Sequence, residues 1–288
     1  MERAEIAPRN SKERRAALRK DAEAGVKRDN FQFLEDCYWD MLFKQDEGFR
    51  FEAQYRAEQI PDLPTVIAFN HFARPPWNRL SLSIEILSTT GDIILFSEAV
   101  TLQAQKLTDR PVVWISEDIK DRVFGITLTD RQTQLAAAFC YDSILVKKNQ
   151  KSPHPDQTRP NPLKLSAQSL MEGKNLLILP EGKTSSFLKP NLLHQYDPTF
   201  PIFLRQLQKT EIPFQILPVS VYARGKIFYT ISGEYIYPFG QPHEVAQKVM
   251  EAIAQNLPKE FRGPYGQIPK EPQPANDPKR QYPVSKRQ

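Results

Sequence analysis

The sequence predicts an α/β fold: a single domain whose mostly parallel central sheet is flanked by helices. Three observations predict it. Short apolar runs of strand length, among them "TVIAF", "SILVKK", "NLLILP" and "FQILPVSVY", recur along the chain with helically spaced segments between them, the alternation that a parallel sheet with crossover helices requires. The conspicuous polar clusters, "FNHFAR", "FSEA", "VKK", "LPEGKTSS" and "LPVSV", stand at the ends of such runs, and in these sheets ligands bind outside the carboxyl ends of strands. Finally, 288 residues with 40% hydrophobic content suffice for one substantial core and scarcely for two full-sized domains.

Taken in order, residues 1–30 are highly charged and poor in large apolar side chains, so a disordered basic segment is expected there. The domain is expected over residues 31–262. Phe33, Leu34, Cys37, Tyr38, Met41 and Leu42 recur at helical spacing, which predicts a helix packed on the core, with a helix resting on a membrane as the alternative. "FRFEAQYRA" alternates like a half-exposed strand. After the buried strand "TVIAF" a helix is expected from about Pro75 to Ser88, because proline at a first turn removes an N–H that has no partner anyway. Strand "DIILFSE", a helix near Arg131 to Phe139 and strand "SILVKK" follow. A helix over Leu163–Glu172 closes at Gly173, a natural left-handed cap. Strand "NLLILP", a helix over Phe200–Gln208, strands "FQILPVSVY" and "KIFYTISGEYI" and a helix over His243–Asn256 complete the domain. Residues 263–288, rich in proline and charge, are expected to be a disordered basic tail.

Composition narrows the function. No apolar run approaches the roughly 20 residues of a membrane span. The start of the chain has no apolar signal core and carries several acids, so the cytosol, or the cytosolic face of a membrane, is the expected place. Cys37 and Cys140 lack metal spacing, and no pattern implies a metal or an organic cofactor. The net charge of +5 comes largely from clusters between Arg9 and Lys20 and between Lys270 and Arg287. Such ends are usually solvated, with attraction to anionic lipid or an acidic partner the other reading; no motif that reads or stacks bases accompanies them, so no nucleic-acid partner is expected.

Four segments in order, "NHFARPP", "DSILVKK", "LPEGKTS" and "ILPVSV", resemble the motifs of the glycerophospholipid acyltransferase superfamily, which includes the lysophosphatidate acyltransferases. That family carries Asn-His-(four residues)-Asp, a Gly-x-Ile-Phe-x-x-Arg-like strand, Phe-Pro-Glu-Gly-Thr-Arg-Ser and a Val-Pro-Val strand; the likeness spans about residues 49–257. The chain is a divergent member on this pattern: the family aspartate falls on Pro76, the second-motif arginine on Lys148, and the third-motif arginine on Thr184, with Lys183 before it.

The resemblance implies transfer of a fatty acyl group from a thioester of coenzyme A or acyl carrier protein to a hydroxyl of a lysophospholipid or related glycerolipid, at a membrane surface to which the protein binds peripherally. His71 is then the general base, since an imidazole titrates near neutrality and can return the proton to the leaving thiol. Asn70 precedes it as a substrate-binding residue. In the family an aspartate orients the histidine; Pro76 has no side-chain donor or acceptor, and Glu98 and Asn78 are the candidate replacements by position. Glu181, with Gly182, corresponds to the family's acceptor-binding pair: a carboxylate can accept from a glycerol hydroxyl, and glycine permits close approach. Lys148 and Lys183 stand where charge would neutralise a phosphate. Arg74 is either a bidentate anion ligand or a solvated arginine. The loss of the aspartate leaves a second reading, a non-catalytic lipid- or acyl-carrier-binding member. His154, His194 and His243 have no partner identifiable in the sequence.

Overall fold

The buried apolar runs assemble into one sheet. A computed structural model describes residues 11–29, 32, 50–54, 63–70, 111–116, 122–123, 126–127, 131–146, 161–182, 192–225 and 227–266. Strands β1 (Arg50–Gln54), β2 (Thr65–Phe69), β3 (Val112–Ser116), β6 (Ile144–Val146), β7 (Leu176–Ile178), β8 (Gln215–Arg224) and β9 (Ile227–Ser232) form a seven-stranded sheet in the order β1-β9-β8-β2-β7-β3-β6. Every neighbouring pair in it is parallel except β8 with β9, a hairpin that turns at Gly225. The short strands β4 (Arg122–Val123) and β5 (Ile126–Thr127) pair separately. This is the single, mostly parallel α/β architecture that the sequence predicts.

From Val66 to Phe69 strand β2 is apolar without interruption because both of its faces are covered. Val66 and Ala68 join Leu176, Ile178 and Ile216 in one core, which α3 (Pro162–Met171), α4 (Thr199–Gln208) and α5 (Pro242–Asn256) complete through Leu170, Phe203 and Val249. Ile67 and Phe69 face the other way, with Leu177, Leu217 and Val219 in a second core. Burying each such side chain is worth roughly 1.5–3 kcal/mol, which pins the register: a one-residue slip would exchange the two faces.

The helices are stopped and tied by local chemistry. Asn161 caps α3 by accepting the Leu163 N–H at 2.9 Å, Pro162 occupies the first turn, and Gly173, at φ +77°, ends the helix as expected. Ser166 in α3 accepts the indole N–H of Trp114 at 2.7 Å, which fastens α3 to β3. On α5, Val245, Val249, Met250 and Ile253 form a buried stripe, and Ser220 of β8 donates to the Ile253 carbonyl at 2.7 Å.

Several expectations need correction. Residues 11–23, expected to be loose, form α1 (Ser11–Glu23) and pack on α2 (Arg131–Cys140). Polar ties hold it there: the Arg28 N–H donates to the Cys140 carbonyl at 2.9 Å, Lys27 donates to the Phe139 carbonyl and Asp142 at 2.6 Å each, and Arg28 is itself steadied by Asp21 at 2.6 and 2.9 Å. The domain also runs past residue 262, because the turn Gly263–Tyr265 folds back and buries Tyr265. Strand β3 was not among the expected elements, although "VVWIS" is rich in β-branched residues. The expected helices near residues 33–42 and 75–88 and the expected strand 92–98 lie outside the described residues.

Candidate functional site

Because β2, β3, β6, β7 and β8 run in the same direction, their carboxyl ends share one edge of the sheet. That edge receives Asn70 from β2, Glu181 and Gly182 from just beyond β7, and the chain leaving β6 at Val146. Strand β2 has β7 on one side and β8 on the other, so Asn70, just past its end, stands between the other two.

Asn70 is 3% exposed, and its carboxamide is turned inward. Its Oδ1 accepts the Val221 N–H at 2.6 Å, and its Nδ2 donates to the Val221 carbonyl at 2.8 Å. The backbone ladder between β2 and β8 pairs Phe69 with Val219; the Asn70 side chain carries that pairing one step past the end of β2, where the main chain departs. A side chain expected to bind substrate is thus engaged with the backbone of β8. What it fixes is the end of β2, at the residue that precedes His71 in the sequence.

Glu181 is 1% exposed, and its carboxylate accepts the His194 N–H at 2.5 Å. A buried carboxylate needs such a donor, since desolvation without a partner costs several kcal/mol. Gly182 follows at φ +59°, and a Cβ there would lie 2.8 Å from the side chain of Asp197. The close approach expected of this glycine is therefore made to Asp197, a residue of the protein itself. Asp197 in turn donates its N–H to the Pro180 carbonyl at 2.8 Å and accepts from the Thr199 N–H and hydroxyl at 2.8 and 2.6 Å, at the start of α4.

Sequence reasoning overlooked three members of this surround: the His194 backbone, Asp197 and Tyr265. A backbone donor has no signature in a side-chain pattern, and "GPYG" reads as tail until Tyr265 is seen to be buried. Burial pushes the Tyr265 phenol up to about 12; the neighbouring Tyr196, Glu181 and Glu251 add to the rise, and the Tyr196 backbone opposes it. The Tyr196 N–H faces the hydroxyl without meeting full hydrogen-bond geometry, and no other described residue bonds to it.

The opposite edge of the sheet is closed by side chains bonded to backbone and to one another. Thr65 donates its N–H to Asn175 Oδ1 at 2.8 Å, and Gln215 donates to the Thr65 hydroxyl at 3.0 Å. His71, Arg74, Asn78, Glu98, Lys148 and Lys183 lie outside the described residues. Among the described residues no three His, Cys, Asp or Glu side chains converge as a metal site would need, and no helix is long and apolar enough to cross a membrane.

The sequence matches no protein-family model and no curated protein. Among solved structures the chain is similar to the crystal structure of the 1-acyl-sn-glycerophosphate (LPA) acyltransferase, PlsC, from Thermotoga maritima. The identity is 14%, over 85% of this chain and 80% of that one, with a TM-score of 0.45. No residue is carried across on that likeness.

Proposed function

We propose that the protein is an O-acyltransferase that moves a fatty acyl group from an acyl thioester, of coenzyme A or acyl carrier protein, to a hydroxyl of a lysophospholipid or related glycerolipid. The observation that carries this reading is the common edge. The described residues of four segments with the motif pattern of such enzymes, Asn70, Ile144–Val146, Glu181 with Gly182, and residues 216–221, lie along or just past strands whose carboxyl ends open on one side of the sheet, and Asn70 and Glu181 follow adjacent strands. The work is assigned to the cytosolic face of a membrane, with the protein bound peripherally.

In this reading His71 takes the proton of the acceptor hydroxyl as its oxygen attacks the thioester carbonyl. The tetrahedral intermediate then expels the thiolate, which recovers the proton from the imidazolium. Glu98, Asn78 or a backbone carbonyl orients the ring in place of the family aspartate. Arg74, Lys148 and Lys183 neutralise the acceptor phosphate. Asn70 and Glu181, both turned into the protein, act by position: the first fixes where His71 leaves β2, the second fixes the turn that leads to Lys183.

Purified parent and His71→Ala proteins, offered acyl-carrier-protein and coenzyme A thioesters with a panel of lysolipids, test the reading. Transfer is expected from the parent, with a fall of about 10² to 10⁴ in the variant. If neither protein transfers while lysolipid binding persists in both, the non-catalytic binding reading replaces this one.

A further inference from the structure

Glu181 is linked by hydrogen bonds and packing to the other end of the domain. Its carboxylate accepts the His194 N–H. The preceding residue, Leu193, is buried and donates its own N–H to the Phe261 carbonyl at 2.8 Å. Two residues further on, Gly263 has φ +53° and lies so close that a Cβ added to it would overlap the Leu193 carbonyl oxygen. Tyr265 closes the same turn, buried in the core that α5 and Leu193 share. The chain around Leu193 to Tyr196 is irregular, so no ladder of its own aims the His194 N–H, and a donor to a buried carboxylate is effective only when it is aimed. The links from Phe261 and Gly263 to Leu193, and from His194 toward Glu181, run through backbone atoms in a packed interior, where a shift is transmitted and not absorbed.

We infer that the turns Lys259–Phe261 and Gly263–Tyr265 form a strap that holds Glu181 in place through Leu193 and His194, which makes Gly263 and Tyr265 positioning residues for the strand-edge site. The reaction that the strap serves rests on the acyl-transfer reading; the strap itself rests on the backbone geometry alone.

Gly263→Ala is compared with Gly225→Ala in the full chain. Both put a side chain on left-handed backbone, φ +53° and +58°, but a Cβ at Gly225 meets nothing within 4 Å, so only Gly263→Ala presses on Leu193. The readouts are the assigned amide resonance of His194 and steady-state acyl transfer. In Gly263→Ala the His194 amide proton is expected to move upfield and to exchange about tenfold faster. The kcat is expected to fall by about 10- to 100-fold, as misplacement of this size does elsewhere, with the acceptor KM little changed. Gly225→Ala leaves both readouts where they are in the parent. An unmoved His194 amide in folded Gly263→Ala overturns the strap. A parent without acyl transfer removes the reading of the reaction, while the amide still decides the strap. Should Gly263→Ala fail to fold, Tyr265→Leu, which loosens the same turn but stays apolar, is judged by the same two readouts.

Discussion

Among the described residues Asn70 has one partner, Val221, and uses both ends of its carboxamide on it. Replacing it separates a structural clamp from a substrate ligand. Asn70→Asp keeps the acceptor for the Val221 N–H but sets a second oxygen against the Val221 carbonyl in a buried position. The expected loss is about 3 kcal/mol at pH 7, from a stranded acceptor and an unpaired charge. Burial and the facing carbonyl raise the introduced carboxyl's pKa above its unfolded value near 4, and the neutral acid can donate to that carbonyl. A raised folded value means that the deficit is smallest below about pH 4, grows as pH rises, and levels off above the folded pKa. Urea midpoints of parent and variant from pH 4 to 8 check this; a gap that does not change with pH would show that the site is open to solvent. Thr65 and Gln215 are a polar pair of the opposite sort, bonded to each other at the closed edge, and nothing in "TVIAF" or "FQILPVSVY" distinguishes their structural role from the role expected of Asn70.

At the scale of the element, the two glycines that close "EGKNLLILPEG" are under different demands. Gly173 turns at φ +77° in open space, whereas Gly182 turns at φ +59° against Asp197. Gly173→Ala is expected to cost about 1–2 kcal/mol, the left-handed backbone penalty alone. Gly182→Ala adds an overlap with Asp197 at the start of α4 and is expected to cost about 1–3 kcal/mol more. Equal shifts of the urea midpoint at an unchanged slope would rule out the packing of Gly182 on Asp197. Gly173 is legible in the sequence as a helix cap and Gly182 as a point of close backbone approach, but the partner of the second is not, because Asp197 comes from a segment with no periodic pattern. The same limit explains α1: the segment after it is tied to α2 by the Arg28 N–H on the Cys140 carbonyl and by Lys27 on the Phe139 carbonyl and on Asp142 just past that helix, contacts that any charged tail could supply and that only the partner makes specific. Strands buried on both faces, by contrast, announce themselves, and β2 and β7 fall within the runs that the sequence marks.

For the whole molecule, the edge that collects the motif segments follows from strand direction, and strand direction follows from the alternation of strand and helix; that much is readable without coordinates. What holds the edge in shape is not, since it draws on residues at 193–197 and 259–266, distant in sequence from the turn they support. Tyr265 offers a measurement of that long-range closure. Its phenol, pushed up to about 12 by burial, stays neutral in the folded protein when the unfolded chain, near 10, already ionises. Stability from this group is therefore complete below about pH 10 and is lost as pH rises from there toward about 12. Burial also raises Tyr222 and Tyr235, so the parent's urea midpoint should fall steeply over that range and Tyr265→Phe should fall less. At pH 7 the variant is expected to be about as stable as the parent or more so, because it removes a buried hydroxyl whose one facing donor, the Tyr196 N–H, falls short of hydrogen-bond geometry. If the two proteins lose stability in parallel between pH 9 and 11, the phenol is solvated, and the turn that carries it is not closed over Leu193.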